Sequence, residues 1–333
     1  MTTLADVCEL IIDSEHKTAP KAPEGYPMVR TTDIERGKLN LRSALRVGEA
    51  AYRSWTARAV PKPSDLILAR EAPVGNVGII PPGAEPCLGQ RTVLLRPNQG
   101  LIEPLYLNYL LSGPELRGRM EALSNGSTVP HLNMGDIRLL ELPKLPVLST
   151  QRRIASILSA YDDLIENNTR RIQILEEMAQ AIYREWFVEF RFPGHEGARM
   201  VDSELGPIPE GWQVAAIGDT VKTLGGGTPS RDVAAYWQGG AVTWYTPTDL
   251  TKSGTMFIED SAAQITELGL ARSSATLFPA GSVMMTSRAT IGVVAISVPP
   301  AATNQGFIIC VPNDVLGQYH LYFWLKSNVE LFL

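Results

Sequence analysis

The stretch Gln151–Asn168, "QRRIASILSAYDDLIENN", reads as an ordinary amphipathic helix until its apolar row is followed onward. Ile154, Leu158, Tyr161, Ile165, Asn168, Ile172, Leu175, Ala179, Ile182 and Trp186 step by fours and threes without a break. A heptad row of this length, with one polar member, predicts a coiled-coil-type helix longer than a globular core needs. Upstream, the prolines of "LPKLPVL" end the preceding segment, and Ser149 or Thr150 can cap the helix. Downstream, Pro193 and Gly194 stop it. About 39 residues at the helical rise make a rod roughly 58 Å long. Ile157, Leu164 and Met178 widen the stripe beyond a strict seam. Asn168 reads as a register device, because a buried amide without a partner is costly. An oily edge of this size on one helix calls for cover from outside the chain.

The segments flanking the rod resemble each other. "SDLILAREAPVGNVGII" and "GSVMMTSRATIGVVAIS" both read as an apolar strand, an arginine, a glycine turn and a second strand. Arg70 and Arg288 are expected to match, as are Gly75 and Gly292. "LGQRTVLL" and "TNQGFIIC" then place Gln90 and Gln305 ahead of a further strand, and "LYLNYLLS" and "HLYFWLKS" supply matching helices. The order predicts two copies of one α/β (α+β) module joined by the rod. The expected layout is a first domain over 1–148, the spacer helix over 149–192, a linker over 193–211 and a second domain over 212–333. The second copy is expected to be incomplete. Arg70 lies 81 residues before Gln151, whereas Arg288 lies 45 before the last residue, some 36 short of a second rod.

With 333 residues, 44% hydrophobic and 20% charged, the chain can bury two cores. No apolar run is long enough for a membrane span and the start lacks the order of a secretory signal, so a cytoplasmic protein is expected. Cys8, Cys87 and Cys310 stand far apart, and four histidines are scattered, so neither a disulfide framework nor a zinc site is indicated. Net charge is −5, unevenly spread: +1 over 1–150, −1 over 151–199 and −5 over 200–333. The one basic concentration runs from Arg30 to Arg70 through Arg36, Lys38, Arg42, Arg46, Arg53, Arg58 and Lys62, and can follow a phosphate backbone or form a solvated face.

Catalytic signatures are missing. "LGGGTPS" lacks the GK[ST] ending of a phosphate loop, and "VGNVG" has too few glycines for a dinucleotide fingerprint, so both read as tight turns. The Pro-Pro pairs of "IIPPGA" and "SVPPAA" lack the amide and aromatic of an adenine methyltransferase loop. Asp6, Glu15 and Lys17 make only a weak nuclease trio. Binding features are stronger: Trp237, Trp244 and Tyr245 in "YWQGGAVTWYTPTDL" read as an aromatic loop that braces itself or a nucleic acid. Arg70 and Arg288 can reach a phosphate, a base edge or a nearby carboxylate.

The run "STVPHLNMGDIRLLELPKLPVLSTQRRIASILSAYDDLIENNTRRIQILEEMAQAIYREWFVEF", with "DSELGPIPEGW" and "GGGTPSR…YWQGGAVTWYTPTDL", resembles the DNA-specificity subunits of type I restriction–modification systems over nearly the whole chain. The resemblance implies two target-recognition domains, each reading half of a bipartite site in double-stranded DNA, and a spacer that sets their separation. It implies docking of methyltransferase subunits and, through them, a restriction/translocase subunit. Adenine-N6 methylation and cleavage belong to those partners, which bind S-adenosylmethionine, ATP and magnesium. This chain is then non-catalytic. The expected DNA contacts are Arg42, Arg46, Arg53, Arg58, Arg70, Gln90, Arg91, Thr228, Arg231, Trp244, Arg288 and Gln305. The family's second spacer helix, antiparallel to the first, is not expected within these 333 residues, so a second specificity chain is one way to complete the pair. The alternative is a truncated or degenerate coiled-coil interaction protein without specific DNA recognition.

Overall fold

A computed structural model describes residues 2–35, 37–124, 130–288 and 290–332. Arg36 of the basic run and the "STV" of the family-like run lie outside the described residues. The chain forms two compact units, Met1–Asn167 and Asn168–Leu333.

In the first unit, strands β1 (Cys8–Asp13), β4 (Leu66–Ala69), β5 (Val77–Ile79) and β7 (Thr92–Pro97) form a sheet of order β1-β7-β4-β5, paired antiparallel throughout. A smaller sheet has order β3-β2-β6, from β3 (Leu45–Val47), β2 (Tyr26–Val29) and β6 (Cys87–Leu88). Here β2 runs antiparallel to β3 and parallel to β6. Alternate residues of a strand point to opposite faces, and both faces of the larger sheet are covered. Leu66, Leu68, Val93 and Leu95 pack with Leu107 and Leu111 of helix α1 (Pro104–Ser112). Ile67, Ala69 and Leu94 face Val29, Ile34 and Leu88. Two-sided burial is why "LILA" and "TVLL" read as unbroken apolar runs.

The second unit repeats this plan. The larger sheet has order β8-β15-β12-β13-β10, from β8 (Lys222–Gly225), β10 (Phe257–Ile258), β12 (Val283–Thr286), β13 (Val294–Ser297) and β15 (Phe307–Val311). The smaller has order β11-β9-β14, from β9 (Val242–Tyr245), β11 (Ala263–Ile265) and β14 (Ala301–Thr303). As in the first unit, the central strand of the small sheet is antiparallel to one neighbour and parallel to the other. Val283, Met285 and Ile296 pack with Leu321 and Leu325 of helix α3 (Gln318–Ser327), while Met284, Ala295 and Ile309 face Tyr245 and Phe278.

Register makes the repeat exact enough to correct one pairing. Gly75 N–H donates to Ala69 O and Gly292 N–H to Thr286 O, each at 2.9 Å, and both glycines are left-handed, with φ of 84° and 87°. Thr92 pairs with Ala69, and Phe307 with Thr286. Arg70 is therefore matched by Ser287, one residue before Arg288. Their N–H groups make the same bond, to Arg91 O at 2.9 Å and to Gly306 O at 2.8 Å. The expected match of Gln90 with Gln305 holds in this register.

The long helix α2 spans Leu148–Tyr183, 36 residues, or about 54 Å. It starts two residues earlier than a Ser149 cap allows. Ser149 and Thr150 lie in its first turn, where the N–H groups of Thr150 and Gln151 both bond Val147 O. Past Tyr183 the turn widens into a π-helical segment, Arg184–Val188, and beyond it Phe190 and Gly194 take positive φ. The expected linker over 193–211 carries a hairpin, Met200–Ser203 against Gly206–Pro209.

Candidate nucleic-acid interface

In each unit the loops that leave the sheet at the end of β1 or β8, at the end of β4 or β12, and ahead of β7 or β15 converge on one corner. In the first unit, Asp13 lies opposite Val93, and three residues on the His16 carbonyl accepts from Gln90 Nε2 at 3.1 Å. In the second, Gly225 lies opposite Ile308, and three residues on Thr228 Oγ1 donates to Gln305 Oε1 at 2.7 Å. His16 and Thr228 are thus equivalent, and one glutamine-to-loop bond closes the corner in both units.

Their electrostatics differ. Arg70 Nη1 donates to Asp13 Oδ2 at 2.5 Å and its Nε to Leu132 O at 3.0 Å, with the ion pair largely buried. His16 Nε2 lies 3.3 Å from the same carboxylate oxygen. Arg91, left-handed at φ 67°, pairs with Glu71 at 2.9 Å. A buried guanidinium held this way cannot leave its carboxylate without stranding a charge, so Arg70 braces the corner. Farther along the basic run, Arg53 pairs with Glu49 at 2.7 Å and Arg58 with Glu15 at 3.4 Å. Half-buried Arg46 donates to Leu41 O at 3.1 Å, and exposed Arg42 lines a shallow depression with it, Tyr26 and Glu85.

In the second unit the aromatic segment is a loop only as far as Trp237 and the turn after it. Trp244 and Tyr245 lie on β9, 2% and 0% exposed, because both faces of that strand are covered. Trp244 Nε1–H donates to Gly227 O, and Trp237 Nε1–H to Ser230 O, each at 2.9 Å. The indoles meet edge to face with centroids 5.1 Å apart. "LGGGTPS" is no tight turn either. Its glycines answer to close approach: a Cβ on Gly226 would lie 2.0 Å from Asn304 O, and one on Gly227 2.2 Å from the Ser274 carbonyl carbon. On this tied loop, exposed Arg231 places its guanidinium carbon 3.6 Å from the Trp237 ring centre. Arg288 and Gln305 are exposed nearby in the chain trace, since Ser287 bonds Gly306.

The apolar row of α2 is open. Leu158, Tyr161, Ile165, Ile172, Leu175, Ile182 and Trp186 are exposed, Tyr161 by 63% and Leu175 by 60%, as are Ile157, Leu164 and Met178. Asn168 is exposed too, while Ile154 and Ala179 are half-buried. The helix meets its own units through a face the seam pattern missed. Gln151 accepts from Glu103 N–H at 2.9 Å and donates to Pro146 O at 2.8 Å. Tyr109 donates to Asp162 at 2.6 Å, and Lys38 pairs with Glu166 at 2.7 Å. In the second unit Gln180 donates to Ser327, and Tyr183 is buried against Phe323 and His320.

Among the described residues, no group of three His, Cys, Asp or Glu is placed to hold a metal ion. Two members of the weak nuclease trio have other partners: Glu15 pairs with Arg58, and Asp6 is held below the usual carboxylate range by hydrogen bonds from Thr3 N–H and its hydroxyl. No helix among the described residues is long and apolar enough to cross a membrane.

Two like α/β modules with a long heptad-patterned helix between them in sequence define a class of two-module proteins built around one long helix. The family model described as "Type I restriction modification DNA specificity domain" matches residues 1–177 and 209–333, and the chain belongs to that family. The MjaIX specificity subunit of Methanocaldococcus jannaschii is 27% identical over 87% of this chain and 64% of its own length. The HindI specificity subunit of Haemophilus influenzae is 25% identical over 71% of this chain and 63% of its own. The chain thus spans under two thirds of these relatives. The crystal structure of a type I restriction-modification S subunit from M. genitalium shares the fold over 99% of this chain and 77% of its own, with a TM-score of 0.57 at 16% identity.

Proposed function

We propose that the chain is a non-catalytic specificity subunit. It reads the two halves of a bipartite site in double-stranded DNA, one per module, and docks type I methyltransferase subunits along the open stripe of α2. A restriction/translocase subunit joins through them, and S-adenosylmethionine, ATP and magnesium belong to these partners. The observation that carries the reading is the repeated corner, where His16–Gln90 and Thr228–Gln305 tie equivalent loops at equivalent strand ends. Glutamine, arginine and threonine are side chains suited to base edges and phosphates. One duplex turn separates neighbouring half-sites by roughly 34 Å, within the reach of a helix of about 54 Å.

The test is a nuclease footprint by the full chain co-expressed with methyltransferase subunits. The expected result is protection of two separated segments on selected DNA, and equal binding to every sequence would overturn the assignment. A second reading, an interaction protein without DNA recognition, draws on the ion pairs that occupy Arg53, Arg58, Arg70 and Arg91. Salt separates the two. Phosphate contacts make affinity fall steeply as salt rises, whereas a protein-only binder holds no DNA at any salt.

A further inference from the structure

We propose that Arg231, held over the ring of Trp237, clamps a backbone phosphate of duplex DNA and so sets the register of the second module without itself reading a base. The inference rests on the DNA-binding reading above and gives one residue a defined part in it. Residues 200–333 carry a net charge of −5, so any attraction to a polyanion must come from a few well-placed cations. Arg231 is exposed and has no carboxylate within ion-pair reach among the described residues, unlike Arg53, Arg58, Arg70 and Arg91. Its guanidinium carbon sits 3.6 Å from the Trp237 ring centre and 5.3 Å from that of Trp244.

The platform beneath it is rigid. Both indole N–H groups bond carbonyls of the loop that carries Arg231, those of Ser230 and Gly227. The crowding around Gly226 and Gly227 leaves no room for a side chain at either position of that loop. Contact with the indole face holds the guanidinium in place before DNA arrives, so less side-chain freedom remains to be lost on binding. The same contact decides what it can touch. Base edges lie at the floor of a major groove about 8.5 Å deep. A guanidinium held against the module surface does not project that far, whereas phosphates run along the outside of the duplex. Arginine contacts to phosphate fix orientation and carry no sequence information.

The experiment compares Arg231→Gln and Arg231→Lys with the wild type, each as the full chain co-expressed with methyltransferase subunits. Affinity is measured for the preferred DNA and for single-base-pair variants across a salt series. Glutamine removes the charge but keeps a planar group on Trp237, and lysine keeps the charge. Arg231→Gln should weaken binding to all these DNAs by the same factor, and should make the slope of log affinity against log salt about 0.9 shallower. Over a fourfold rise in salt the wild type then loses about threefold more affinity than this variant. Arg231→Lys should keep the wild-type slope. An unchanged slope in Arg231→Gln, or a loss confined to one base pair, overturns the phosphate assignment while leaving the DNA-binding reading intact. Wild-type protein that binds all sequences alike, or none, overturns that reading and this inference with it.

Discussion

Gly227 shows how little room single residues have in the second corner. Beyond the Ser274 carbonyl carbon, its absent Cβ would also meet Ala275 N at 2.4 Å. Neither is the far end of a flexible side chain. Gly227→Ala should therefore cost about 3 kcal/mol or more, read as a lower urea midpoint for a tryptophan-detected transition; an unshifted midpoint would mean the loop relaxes freely. The thiols make a second prediction. Burial pushes Cys87 up to about 11 and Cys8 up to about 12. Both should resist alkylation at about pH 8 until denaturant is added, because the thiolate is the reactive form. In the unfolded chain these thiols ionise near their ordinary value. Their contribution to stability is thus intact below that value and is lost as pH rises toward 11 and 12. Replacing Cys87 by alanine should flatten the alkaline fall in melting temperature.

At the scale of the element, α2 uses two faces differently. Its heptad row was legible because spacing by fours and threes marks one face of a helix wherever it occurs. The face that meets its own units was not, because Gln151, Asp162 and Gln180 at helical spacing read as a solvated surface. Only their partners distinguish them. Gln151, 1% exposed, bonds Glu103 N–H and the carbonyls of Pro146 and Leu101. Gln151→Leu keeps the bulk and strands these backbone groups, so it should cost about 1–3 kcal/mol, measured by urea unfolding; a neutral result would mean water replaces the amide.

For the whole molecule, the repeat was readable from the order of strands, arginine, glycine and glutamine, but not to the residue. The chain has Ser287 where equivalence with Arg70 was expected, and hydrogen-bond register revealed the slip. Association with partners is a property of this scale. On the proposed function, Leu175→Glu should abolish co-purification with methyltransferase subunits. Because Leu175 is 60% exposed, unfolding should shift by no more than about 0.5 kcal/mol. Undiminished co-purification would remove the middle of the stripe from the interface.

Local periodicity alone determined the long helix, the apolar strands and the doubling of the module, because these patterns arise from backbone geometry that every segment carries with it. Tertiary structure decided which polar groups remain available. Arg70 and Arg231 are indistinguishable as letters. Strand pairing brings Asp13 to the first across 57 positions of sequence, and the fold brings the indole rings of Trp237 and Trp244 to the second.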